Sequence, residues 1–213
     1  MSMMKNSIKQ EVKKDLSQLS DPVKLIVFTQ DMECELCADN RTLMEEVAAL
    51  SEKVSTEIYD FATDKDPVQR YGIGKIPAVG IQGKKDYGIR FYGVPGGYEF
   101  SSLLHAIKIV SKNESGLSSA AKEELKGLTK PVHIQVFVTP TCPYCPAAVQ
   151  IAHKAAMESE LITADMIEIQ EFPQLAVKYN VMGVPQTVIN ESVRFTGALP
   201  ENKFLQKILE AAK

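Results

Sequence analysis

The chain has 213 residues, 45% of them hydrophobic and 24% charged, with a net charge of −3 at neutral pH. That length suits one large domain or two small ones, with apolar material for two modest cores. The mild acidity argues against a nucleic-acid partner, and no apolar run approaches the ~20 residues that a membrane span requires.

The opening stretch, Met1 to Gln10, lacks the apolar centre of a secretory signal, so the expected location is the cytoplasm. Residues 5–19 place Ile8, Val12, Leu16 and Leu19 on one helical face, and Asp21-Pro22 ends it. An apolar strand follows over Val23 to Phe28, then Cys34-Glu-Leu-Cys37, then a helix-like run from Asn40 to about Lys53. A second strand is expected over Val54 to Asp60 and a short helix over Asp66 to Tyr71. A strand opens on Ile76-Pro77, turns at Gly83-Lys-Lys, and returns over Tyr87 to Tyr92. Phe100, Leu103, Leu104, Ile107 and Val110 then share a helix face.

Lys112 to Gly116 is polar and reads as a linker, and Leu117 to Leu128 as a second leading helix. After Pro131 the same plan restarts. It runs through a strand over 132–138, Cys142-Pro-Tyr-Cys145, a helix to about Ser159, a strand over Ala164 to Ile169 and a short helix over Phe172 to Tyr179. A strand from Val184-Pro185 to Ile189, a return strand over Ser192 to Thr196 and a last helix over Glu201 to Ala212 complete it. Cys34 and Cys142, Cys37 and Cys145, and Pro77 and Pro185 are all separated by 108 positions. Past the hairpin, Phe91 and Phe195, and Gly93 and Gly197, are separated by 104, so the second hairpin is shorter by four residues. The chain therefore reads as two copies of one unit, over residues 1–116 and 117–213.

The two pairs contain all four cysteines. Two intervening residues let a small disulfide ring close across the first turn of a helix. The helix start supplies free N–H groups and partial positive charge that favour a thiolate. The first cysteine of each pair, Cys34 and Cys142, is the expected attacker, and Cys37 and Cys145 are the expected resolvers of the mixed disulfide. Four thiols could also hold zinc, but the pairs lie over a hundred residues apart, each on its own repeat. A proline opening a central strand gives up a ladder hydrogen bond, which is tolerable where the bond before it is cis and the strand end faces a site. Ile76-Pro77 and Val184-Pro185 are thus expected to shape the substrate side of each cysteine pair; the alternative is a plain turn before a strand.

On these residues the chain resembles the protein disulfide oxidoreductases of thermophilic archaea and bacteria, which look like two fused thioredoxin/glutaredoxin-type domains. The match rests on the two Cys-x-x-Cys motifs, the two proline pairs, Glu171 to Asn180 and Tyr87 to Phe100. The resemblance implies an α/β tandem repeat of two thioredoxin-like domains, each a mixed central sheet flanked by helices. It also implies cis prolines packed against the disulfides and dithiol–disulfide exchange on protein substrates. Two thioredoxin features are missing. The acid six residues before the first cysteine is replaced by Phe28 and Val136, and the chain has no Trp. Glu57 and Glu168, read as equivalent positions in the second strands, are candidate substitutes for that acid; the plainer reading is a solvated strand residue.

Asp31, Glu33, Glu35 and Asp39 surround Cys34, whereas no acid lies within ten residues of Cys142. Negative neighbours disfavour a thiolate, so Cys142 is expected to have the lower pKa. His153 is expected to pack rather than catalyse, and His105 and His133 stand isolated. Met32 is expected either to border the first site or to fill a gap. No Gly-rich dinucleotide fingerprint is present, so no bound cofactor is expected and reducing power must come from outside. The alternatives are an adaptor between a thioredoxin-reductase-like flavoenzyme and a peroxiredoxin, a chaperone-like module with structural cysteine pairs, and a metal-binding protein. Oligomeric state and direction of electron flow are left open.

Overall fold

The computed structural model describes residues 2–213. Its elements follow in order: α1 (Asn6–Leu16), β1 (Val23–Thr29), α2 (Cys37–Ala48), β2 (Val54–Asp60), α3 (Lys65–Arg70), β3 (Ala78–Gln82), β4 (Asp86–Tyr92) and α4 (Glu99–Lys112). The second half holds α5 (Ser119–Lys126), β5 (Val132–Val138), α6 (Cys145–Glu158), β6 (Ile162–Glu168), α7 (Pro173–Tyr179), β7 (Gln186–Ile189), β8 (Val193–Thr196) and α8 (Glu201–Ala211). This is a mixed α/β architecture of thioredoxin type, repeated in tandem. No described helix is long and apolar enough to cross a membrane.

Each half uses one strand plan. β1 pairs parallel with β2 and antiparallel with β3, and β3 pairs antiparallel with β4. The second half repeats this with β5, β6, β7 and β8. The two sheets are continuous, however: β4 lies parallel to β6, with Ile89 opposite Ala164 and Tyr92 opposite Ile167, giving one eight-stranded sheet in the order β2-β1-β3-β4-β6-β5-β7-β8. Joining two edges satisfies backbone groups that separate domains would leave unpaired. The equivalent hairpin strands consequently differ. In β4, Ile89, Arg90, Phe91 and Tyr92 are all buried, whereas β8, at the free edge, alternates half-buried and exposed residues.

The inner strands are covered on both faces, which is why β1 and β5 read as continuous apolar runs. Leu25 and Val27 join one core with Val79, Ile89, Phe91 and Val136; Ile26 and Phe28 face the other, with Tyr71, Tyr92, Phe137 and Tyr179. α1 buries Val12 and Leu16 on the first core, while Ile8, at the start of the expected stripe, stays exposed. α4 and α6 pack across the junction of the halves, where the Phe91 ring meets His153 edge-on at 4.9 Å.

The polar stretch read as a linker is held in place. Asn113 caps α4 in the left-handed conformation, Ser115 is buried with its hydroxyl on Glu158, and the Leu117 N–H donates to Ser115 Oγ at 3.1 Å. Ser118 then caps α5 by accepting from the Ala121 N–H at 3.2 Å.

Candidate functional site

β1 and β5 each end in a short loop that carries a cysteine pair into a helix. The helices begin at the second cysteines, Cys37 and Cys145, ahead of the apolar runs that mark them in the sequence. Pro146 in the first turn suits α6, because its missing N–H would have no intrahelical partner. Both pairs are disulfides, with Cα–Cα distances of 5.4 and 5.5 Å. In each, the first cysteine is the more accessible. Cys34 is half-buried above a buried Cys37, and Cys142 is 9% exposed against 0% for Cys145.

Ile76-Pro77 and Val184-Pro185 are the two cis peptide bonds. Each sits where its strand abuts the one leading to a cysteine loop, with Phe28 opposite Ala78 and Phe137 opposite Gln186. The Pro77 carbonyl accepts from the Gly93 N–H at 3.0 Å and the Pro185 carbonyl from the Gly197 N–H at 2.7 Å, so the repeat extends to the backbone hydrogen bonds. Ile76 and Pro77 line a cleft with Cys34, and Val184 packs against the core that contains Cys142 and Cys145.

The cleft at Cys34 has a volume of about 710 Å³ and is built by both halves. The first half contributes Glu33, Cys34, Glu35, Leu36, Asp39, Ile76, Pro77 and Val94. The second contributes Pro140, Glu168, Gln170, Glu171 and Pro173. Glu168 is 3% exposed. Its Oε2 accepts from the Glu171 N–H at 2.8 Å, and its Oε1 has no hydrogen-bond partner. Glu171 Oε1 accepts from the Val94 N–H at 2.7 Å, and its Oε2 is likewise buried and unpartnered. Burial pushes the Glu168 carboxyl up, and burial moves Glu171 up to about 7.

Glu57 and Glu168 prove not to be equivalent. Glu57 pairs with Ile26 and Glu168 with Val138, the last residue of β5; the counterpart of Glu57 is Asp165, opposite Gln135. Glu57 is partly exposed and bound by Lys24 and Tyr59, and the Lys24 hydrogen bond lowers its pKa. It does not line the cleft at Cys34. The strand-end dipeptides that suggested equivalence occur three residues apart in the pairing register.

Glu99 was not apparent from the sequence. It follows Tyr98, whose N–H donates to the Pro140 carbonyl at 2.9 Å, two residues before Cys142. It is buried, both carboxyl oxygens lack partners, and burial raises it to about 7. Gly97 allows the approach. Its φ is +57°, and a Cβ there would meet the Pro140 carbonyl carbon at 2.8 Å. His153 is fully buried in packing, whereas His133 is not isolated, since its Nε2 lies 2.7 Å from Asp165 Oδ2. Met32 is exposed and lies outside the cleft lining. Among the described residues no cluster of His, Cys, Asp or Glu could hold a metal ion.

Residues 132–210 match the family described as a thioredoxin domain. A probable thioredoxin of Methanothermobacter thermautotrophicus is 38% identical over 78 residues, which cover 36% of this chain and 92% of the relative. A solved protein disulfide oxidoreductase from Aeropyrum pernix K1 superimposes with a TM-score of 0.93 and 33% identity, over 98% of this chain and 93% of that one. The chain belongs to the protein disulfide oxidoreductases of the thioredoxin fold. An alkyl hydroperoxide reductase component of Staphylococcus epidermidis is 27% identical over 97% of this chain, but the chain spans only 38% of that relative's length. The family's thiol–disulfide chemistry agrees with two oxidised Cys-x-x-Cys pairs at helix starts.

Proposed function

We propose that this protein exchanges disulfides with polypeptide substrates at both of its cysteine pairs, one carried by each repeat (residues 1–116 and 117–213). The observation that carries this reading is the shared layout: a first cysteine more exposed than the second, a buried second cysteine at the start of a helix, and a cis proline at the abutting strand end.

In the reducing direction, the Cys34 or Cys142 thiolate attacks one sulfur of the substrate disulfide and expels the other as a thiolate. Cys37 or Cys145 then attacks the mixed disulfide. The substrate leaves with two more electrons and two more protons in all, and the protein keeps the disulfide. An external dithiol restores it, in keeping with a reducing cytoplasmic setting. Free N–H groups in the first turns of α2 and α6 stabilise the attacking thiolates. Ile76, Pro77, Val184 and Pro185 form the apolar edges against which a substrate strand lies. Glu168 takes the role of proton acceptor for the pair in the other half, Cys34 and Cys37, because it lines their cleft.

Likeness to the alkyl hydroperoxide reductase component over nearly the whole chain favours a second reading. In it, the same exchange passes electrons from a flavoenzyme of thioredoxin-reductase type to a peroxiredoxin. Dithiothreitol-driven insulin reduction by Cys34→Ser, Cys142→Ser and the double variant tests the first reading. Loss in the double variant is expected, and full activity without either attacker would overturn it in favour of a binding module.

A further inference from the structure

The acidic character of the cleft at Cys34 is not explained by disulfide exchange alone. Glu33, Glu35 and Asp39 stand at the rim, Glu168 and Glu171 form the wall from the other half, and among the described residues no lysine, arginine or histidine lines the cavity. The two wall carboxyls each use one oxygen on a backbone N–H, Glu168 on Glu171 and Glu171 on Val94, and each keeps the other oxygen buried without a partner. No salt bridge reaches either group among the described residues. Unpartnered buried carboxyl oxygens are costly, and a structure that keeps two of them beside an open cavity of about 710 Å³ has room for the donor that would satisfy them.

Resting on the exchange activity proposed above, we infer that the Cys34 cleft selects disulfides flanked by a lysine or arginine, whose cationic head is received by Glu168 and Glu171. A backbone N–H fixes each carboxyl, so the acceptor pair is set before the substrate arrives. The lysine stem or arginine methylenes pass along Ile76, Pro77 and Val94, apolar groups that suit the body of such a side chain. The burial that raises Glu171 toward neutrality is the same feature that makes an incoming cation favourable there. At the second pair the sequence neighbours Thr141, Pro143 and Tyr144 are neutral, Tyr144 is largely exposed, and Glu99 is a buried acid that the fold brings toward the loop from the first half. The two halves therefore sort substrates by charge, cationic segments at Cys34 and uncharged or apolar ones at Cys142.

The test uses the full chain with Cys142 and Cys145 both replaced by Ser, so that only the first pair turns over. Two cyclic disulfide peptides with one ring sequence are compared, one flanked by lysines and one by glutamines, with dithiothreitol as reductant. The lysine peptide is expected to show kcat/KM about tenfold higher, and that ratio is expected to fall below about twofold in Glu168→Gln/Glu171→Gln. Glu33→Gln/Glu35→Gln is expected to lower it less. Equal kcat/KM for the two peptides, or a preference that survives Glu168→Gln/Glu171→Gln, would overturn the inference and leave the exchange activity standing. If neither peptide is reduced, the exchange reading fails for this pair. Calorimetric binding of the same peptides with serine for cysteine then decides the inference. Tighter binding of the lysine form that is lost in Glu168→Gln/Glu171→Gln sustains it, and equal binding overturns it.

Discussion

The Val94 N–H, just past the hairpin of the first half, donates to Glu171 Oε1 of the second half at 2.7 Å across 77 residues of sequence. This bond brings a carboxyl from one repeat into the cleft of the other, where its burial, which the bond offsets only in part, carries a pH-dependent cost. Burial lifts Glu171 from 4.5 to about 7, so the folded state holds a proton that the unfolded chain gives up. Stability therefore declines as pH rises from 4.5 to 7, and the full loss applies above 7. Glu171→Gln keeps an oxygen for Val94 and removes the charge. It is expected to leave stability near pH 4.5 unchanged and to raise it at pH 8 by on the order of 1 kcal/mol, after allowance for solvent screening. Urea unfolding at both pH values checks this, and a gain equal at the two would contradict it.

Gly93 and Gly197 separate two causes of glycine's use. Both are left-handed, with φ of +87° and +96°, and both donate to a cis-proline carbonyl. Around Gly197 no atom lies within 4 Å of a built Cβ, whereas at Gly93 a Cβ would lie 2.7 Å from Glu168 Cβ and 2.9 Å from Glu171 Oε1. Gly197→Ala is expected to cost about 1–2 kcal/mol from backbone conformation alone. Gly93→Ala adds overpacking of about 1–3 kcal/mol and displaces the acids at the Cys34 cleft. Urea midpoints of the two variants measure the difference, and equal losses would mean that the carboxyls move aside freely.

The repeat was legible because cysteines and prolines mark it at constant spacing, and the strands because β1 and β5 are apolar on both faces. The union of the sheets was less plain, since a run such as Tyr87 to Tyr92 reads as a strand whether it lies at an edge or inside. A signal existed nonetheless: Ile89-Arg-Phe-Tyr92 is richer in large apolar residues than Val193-Arg-Phe-Thr196, as an inner strand should be. Glu99 and Glu171 act across the halves, and no local pattern encodes a contact at that separation. Their only trace is an acid beside aromatic residues, in Tyr98-Glu99-Phe100 and Glu171-Phe172.

His153 contributes with the opposite sign to Glu171. It is fully buried against Phe91, both ring nitrogens lack partners, and burial lowers its pKa from 6.5 to about 3. The unfolded chain takes up a proton that the folded chain refuses, so stability is lost progressively as pH falls from 6.5 toward 3. His153→Leu removes this and also removes two unpaired nitrogens. It is expected to raise stability by about 1 kcal/mol at pH 7 and by roughly 4 kcal/mol at pH 4, where the proton linkage adds to the unpaired nitrogens. Circular dichroism during acid titration should show unfolding at a lower pH in the variant, and an unmoved midpoint would assign acid unfolding to other groups.

The two attacking thiols of the reduced protein should differ in reactivity. Glu33, Glu35 and Asp39 line the cleft at Cys34, and their negative charge opposes a thiolate there. Glu99 follows Tyr98, which donates to the Pro140 carbonyl ahead of Cys142, and burial raises it to about 7, so it is mostly uncharged at pH 6. The start of α6 favours the thiolate at Cys142. Near pH 6 iodoacetamide is expected to label Cys142 several-fold faster than Cys34, since a pKa difference of about one unit changes the thiolate fraction nearly tenfold. Above pH 7, Glu99 ionises and the ratio should narrow. Glu99→Gln is expected to keep the ratio wide at pH 8, as read by mass spectrometry of the labelled peptides. Faster labelling of Cys34 at pH 6 would reverse the assignment and make the first half the more nucleophilic site.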